Sequence, residues 1–147
     1  MKLELKHLAV YLPYGLKGVA TKEYMGIETM RGLTIDEITT DVDSIDFDDW
    51  NPILRPLSDL SKEIEVNGER FVPIDIICED YGCIEASATM DDFGTYNIYD
   101  EDEKQIDIIM PDNIHLTSYG VVEKLFEWKF DVYNLIQNGL AIDINKL

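Results

Sequence analysis

The sequence predicts a single α+β domain over residues 1–147, with antiparallel sheets covered by one long C-terminal helix and two short helices. Three observations carry this expectation. The chain has 147 residues, inside the span of roughly 100 to 200 usual for one domain, and no repeat, low-complexity tract or Ser/Pro/Gly linker interrupts it. Much of its middle alternates apolar and polar side chains at the two-residue period of strands, whereas one segment near the C-terminus keeps a helical period. Apolar residues make up 46% and aromatic residues 10%, the composition of a chain that folds. A domain of this length buries about 68 to 70% of its extended-chain surface without help from disulfides or metals.

In chain order, Leu5, Leu8, Ala9 and Leu12 fall at helical spacing. A short helix over 3–12 follows, ended by Pro13 because the residue before proline avoids the helical region. From Gly15 to about Thr40 the texture is β-branched, and Arg31-Gly32 separates 26–30 from 33–39 as a hairpin turn would. Residues 41–51, DVDSIDFDDWN, form an acidic loop. Pro56 opens a second short helix over 56–64 with Leu57, Leu60 and Ile64 on one side. Asn67-Gly68 lies between Ile64-Glu65-Val66 and Arg70-Phe71-Val72, the strongest short-range hairpin signal. Ile74 to Met110 reads as further strands, with turns at 91–94 and 100–104.

The long helix is expected from Tyr119 to Asn138, closed by Gly139 in a left-handed cap. Its apolar residues spread over roughly 220° of arc, far more than the 100° or so that faces one sheet. Such a helix is either wrapped on two sides or shared with another subunit, and Val121, Trp128 and Leu135 mark the edge where a second copy would dock. A tryptophan there would equally suit the core. The alternating tail 140–144 suggests a final strand or a segment packed against the helix.

Charge bounds the partners. Thirty Asp and Glu against 12 Lys and Arg give a net charge of -18, which repels phosphate backbones and anionic headgroups. Direct nucleic-acid binding and membrane association are not expected. No stretch approaches the roughly 20 apolar residues of a membrane span. The run Leu8 to Leu12, ended by Pro13, falls short of the 7 to 15 or so apolar residues of a secretory leader. Cys78 and Cys83 are too few for a disulfide framework and read as reduced thiols of a cytoplasmic protein.

Cys78 and Cys83 in a C-x4-C spacing, joined by His7 and His115, superficially match a zinc set. The two histidines are far apart and form no second ligand pair, so two half-buried thiols and two surface imidazoles are the plainer reading. Asp41, Asp43, Asp46, Asp48 and Asp49 resemble a calcium loop, yet an EF-hand register from Asp41 puts Ile45 at a ligand position and Asp46 where glycine is needed. A solvated loop is expected, with a weak calcium or magnesium site as the alternative. No nucleophile elbow, phosphate-cradling glycine loop or Cys/Ser-His signature is present. The sequence therefore assigns no catalytic residue, no cofactor and no metal. Arg55 is either an anion anchor or, in so acidic a chain, paired with a carboxylate. On the long helix Glu123, Glu127 and Asp131 recur at i, i+4 and i+8, where each like-charged pair costs about 0.2 to 0.5 kcal/mol. This is a solubilising face or an acidic docking ridge for a basic partner, continued by the 41–49 loop.

Three stretches, LKHLAVYLPYGLK (5–17), ILRPLSDLSKEIEVNGERFVPI (53–74) and EKLFEWKFDVYNLIQNGLAIDIN (123–145), resemble a group of small uncharacterised proteins of Bacteroidetes bacteria and their phages or mobile elements. The resemblance implies provenance and no chemistry. Two functions follow as expectations. One is a noncatalytic accessory or interaction protein of a phage or mobile element, using the broad helix face and self-association as a homo-oligomer. The other is an acidic inhibitor that imitates nucleic-acid charge in the basic groove of a host defence or DNA-processing protein. Steep weakening with salt would mark the second.

Overall fold

The computed structural model describes residues 1–20, 30–32, 50–82, 85–111 and 113–147. In chain order these hold α1 (Leu5–Ala9), β1 (Lys17–Ala20), β2 (Met30–Gly32), β3 (Trp50–Leu54), β4 (Ile64–Val66), β5 (Glu69–Phe71), α2 (Pro73–Asp80), β6 (Ser87–Met90), β7 (Tyr96–Tyr99), β8 (Gln105–Ile109), α3 (Tyr119–Glu127) and β9 (Ile142–Asp143). The architecture is α+β with small, mainly antiparallel sheets. Contacts divide the chain into two units, residues 1–55 with 126–147, and residues 56–125.

The first unit holds the sheet ordered β2-β1-β3-β9. Lys17 pairs with Gly32 and Gly18 with Pro52 across antiparallel ladders, while Ile53 and Ile142 pair in parallel. The expected final strand is therefore present. Leu8, Tyr11, Leu16, Leu54, Phe130 and Leu135 form its core. Tyr11 is fully buried, so its hydroxyl needs a partner. It donates to the Phe130 carbonyl at 2.7 Å, and its ring meets Phe126 edge-on at 5.5 Å.

Arg31-Gly32 is not the expected hairpin turn, since both residues sit in β2 opposite Gly18 and Lys17. An Arg-Gly pair lacks the Asn or Asp that tolerates the left-handed first position of a tight turn. Asn67-Gly68 has it. There φ is +53 and +84, and Val66 faces Glu69 across a two-residue loop. The remainder of the 15–40 segment and the acidic 41–49 loop lie outside the described residues.

In the second unit, Leu57–Ser61 is a 3-10 turn instead of a helix over 56–64. Leu57 and Leu60 are buried at a three-residue spacing that suits the tighter helix, and the Asn-Gly hairpin claims Ile64 for a strand. The start of the expected strand region is also different, because Pro73–Asp80 forms α2. Pro73 at the first helical turn and buried Ile74 and Ile77 favour a helix over the strand expected from Ile74 onward. The sheet β6-β7-β8 then follows with both turns where expected.

The two turns share one design. Asp91 N–H donates to Thr95 O, Gly94 N–H donates to Asp91 O, and Asp91 Oδ1 accepts from the amides of Phe93 and Thr95 at 2.9 and 3.0 Å. Asp100 repeats every bond with Lys104, Glu103 and Asp102. The fourth residue of each turn is left-handed, Gly94 at φ +78 and Glu103 at φ +60.

The long helix is the largest correction. Helical structure ends at Glu127, and Lys129 adopts φ +60. Arg55 N–H then donates to Lys129 O and Asp131 N–H to Arg55 O, both at 2.8 Å, which joins this segment to the chain leaving β3. Asp131 opens a new turn, its two carboxylate oxygens accepting from the amides of Leu135 and Ile136 at 2.8 Å each. Asp is a poor helix-interior residue because its side chain competes for nearby backbone groups. Gly139 does close the last turn at φ +70.

A left-handed non-glycine residue costs roughly 1 to 2 kcal/mol, and glycine gives back about 0.5 to 1 of that through its freer unfolded chain. Glu103→Gly is therefore expected to stabilise the chain by about 0.5 to 1 kcal/mol in urea unfolding, whereas Gly94→Ala should destabilise it.

Candidate interaction surface

The ending of the helix at Glu127 scatters the residues that it was expected to align. Val121 is buried in the second unit, and Trp128, at 9% exposure, and Leu135 are buried in the first. A single chain thus covers all three, and they form no exposed docking edge. Glu123 and Glu127 do project into water on α3, but Asp131 is buried and capping a turn, so no three-carboxylate ridge exists.

His7 is buried, contrary to the expected surface imidazole. Its Nδ1 accepts from Glu4 N–H at 3.1 Å, which closes the start of α1, and its ring tilts against Tyr133. Burial first, and then the Lys6 charge, hold its pKa below the ordinary value. His115 is exposed, Cys78 is a half-buried free thiol, and Cys83 lies outside the described residues. Among the described residues no three His, Cys, Asp or Glu side chains gather in a way that could hold a metal ion. Burial and then the charges of Lys17 and Arg55 lower the Lys129 pKa.

A polar cluster that no sequence motif announces joins Tyr81, Asp107 and Ser118. Asp107 is buried in β8, and its Oδ2 accepts from the hydroxyls of both Tyr81 and Ser118. Its Oδ1 accepts from the amides of Ile108 at 2.8 Å and Ser118 at 3.2 Å. A carboxylate offers about four acceptor sites, so this one is filled from within. Burial and the bond to Asp107 push the Tyr81 pKa far up, and burial followed by Asp75 raises that of the Cys78 thiol. The cluster ties β8 to the start of α3, and both shifts favour the protonated groups.

The exposed chemistry lies elsewhere in the second unit. Phe93, at the tip of the β6-β7 turn, is 88% exposed, and Met90 beside it is 52% exposed. Asp91 fixes the backbone beneath Phe93, so the ring is presented on an ordered loop. The sequence located the turn but not its significance. A phenylalanine at a tip position where polar residues belong was the available signal. Charge is concentrated here too. Residues 56–125 carry 17 Asp and Glu against 4 Lys and Arg, a net -13, while the first unit carries 13 against 8.

Compared with protein-family models, with curated proteins and with solved structures, the chain matches none. No helix among the described residues is long and apolar enough to cross a membrane.

Two outcomes follow for the residues that left the helix. Trp128→Ala is expected to cost about 3 to 5 kcal/mol, as for a large core side chain, and to leave the sedimentation behaviour of the folded protein unchanged. Burial outweighs the amide bonds and raises the Asp131 pKa above its ordinary value. The folded state therefore holds this proton more tightly than the unfolded state. The associated stability is full below the unfolded value near 3.9 and is lost as pH rises through the folded one. Unfolding curves of the wild type and Asp131→Asn across that range should show the wild-type advantage shrinking as pH rises.

Proposed function

We propose that the chain is a noncatalytic interaction protein, of the accessory kind carried by phages and mobile elements, and that its 56–125 unit binds a basic protein partner. The observation that carries this reading is Phe93, an aromatic side chain held in water on a hairpin tip that Asp91 has already ordered. Leaving such a ring exposed forgoes roughly 1.5 to 3 kcal/mol of burial. An anchor on a rigid loop returns that energy on binding with little ordering cost. The net -13 around it sets the sign of the partner and speeds encounter.

The concentration of charge in one unit also favours a second reading, an acidic inhibitor that imitates nucleic acid. Against it, buried Asp107 spends both carboxylate oxygens within the fold and is not free to join a run of imitated phosphates. Affinity capture from host cells, with the wild type and Phe93→Ala at low and high salt, separates the two. The interaction reading expects a partner that survives high salt and is lost with Phe93→Ala. Capture that ignores Phe93→Ala and collapses with salt would establish mimicry instead.

A further inference from the structure

The sheet β6-β7-β8 has two outer edges, and they are treated differently. On β8, Ile108 pairs with Asn97 and turns its backbone groups outward. There its carbonyl accepts from Thr117 Oγ1 at 2.6 Å and its N–H donates to Asp107 Oδ1 at 2.8 Å. Side chains thus close that edge, as natural sheets commonly do.

Among the described residues no side chain caps the β6 edge in this way. Asp91 N–H donates to Thr95 O, and bonded pairs alternate along an antiparallel ladder. Thr89–Asn97 and Ser87–Tyr99 are therefore the bonded pairs, and Ala88 and Met90 turn their N–H and C=O groups away from β7. Among the described residues no strand pairs with them and no hydrogen bond reaches those groups. Helix α2 touches β6, but Tyr81 just beyond its end reaches Asp107 on β8, which lays α2 across a face of the sheet and not along this edge. The strand itself, Ser87-Ala88-Thr89-Met90, contains no charge, proline or bulge, the devices that normally blunt an open edge.

We propose that the β6 edge receives an extended segment of a basic partner, which adds to the sheet as a fourth strand; this rests on the interaction reading above. Charge selects the occupant. Exposed Glu85 stands at one end of β6 and exposed Asp91 and Asp92 at the other. In an antiparallel register centred on Ala88, the first and seventh residues of the added strand lie opposite Asp91 and Glu85. A second copy of this chain would put its own Glu85 and Asp91 there, and like charges directly opposite are destabilising. A segment with Lys or Arg at both ends reverses the sign. Ala88 and Met90 supply main-chain bonds, and Met90 and Phe93 supply apolar contact at the hairpin end.

The test uses the full chain, labelled for NMR, and two seven-residue peptides with an alternating Val/Thr centre, one ended by lysines and one by glutamates. The lysine-ended peptide is expected to bind at least about tenfold more tightly and to slow exchange of the Ala88 and Met90 amides. Glu85→Lys, which leaves the Asp91 turn intact, should remove most of that preference, because only the Asp91 end still favours lysine. Ala88→Pro should abolish binding without disturbing β7, because proline is tolerated where the N–H faces outward. Equal binding of the two peptides, slow exchange of Ala88 and Met90 before any peptide is added, or shifts mapping away from β6 would overturn strand addition. If Phe93-dependent capture persists in any of those cases, the interaction reading stands without it; loss of both removes the reading as well.

Discussion

An aspartate carboxylate accepting from backbone amides is the interaction on which both units depend. The described strands are two to five residues long, so ladders satisfy few backbone groups and the turns must find partners for the rest. Asp91 and Asp100 each hold two amides in their hairpins, Asp107 holds two across 107–118, and Asp131 holds the 131–136 turn. Asp143 does the same for Asn145 at the C-terminal end. A hydrogen bond to a charged group contributes about 1.5 to 3 kcal/mol, against about 1 for a neutral pair. Turns built this way are firm although they lie at the surface.

This use of carboxylates changes the meaning of the acidic composition. A net charge of -18 suggests a uniformly repulsive surface, yet part of the acidity is internal scaffolding, as with buried Asp107 and Asp131. Among the described residues the carboxylates that do project, including Glu85, Asp92, Glu101 and Glu123, belong mostly to the 56–125 unit. Scaffold and surface meet at the β6-β7 hairpin. Asp91 orders the tip, Phe93 projects from it, and among the described residues no strand pairs with the outer edge of the adjoining β6.

Local signals were legible in the sequence where turn chemistry is specific. Asn67-Gly68 and the two Asp-led turns stand where the residues placed them, because positive φ and Asx bonding have short-range signatures. Patterns of apolar residues were less faithful. Val132, Leu135 and Ile136 continue the helical period of Val121 and Leu125, and most are indeed buried, but Asp131 and the left-handed Lys129 and Asn134 redirect the backbone. Burial was readable there, and conformation was not. The stretch from Ile74 onward read as strand, and Pro73 decided for α2. The open edge of β6 could not be read from the sequence at all, because which strand lies outermost depends on sheet order and on the capping of Ile108 by Thr117 and Asp107.

Amide hydrogen exchange at the hairpin tips tests the central claim, that carboxylates build rigid turns on an otherwise exposed surface. Phe93 and Asp102 have exposed side chains, and their amides donate to Asp91 and Asp100 at 2.9 Å. The account expects both amides to exchange at least about tenfold more slowly than the same residues in an unfolded chain. Exchange at the unfolded rate would mean that the carboxylates do not order these turns, and that Phe93 is not presented on a rigid support.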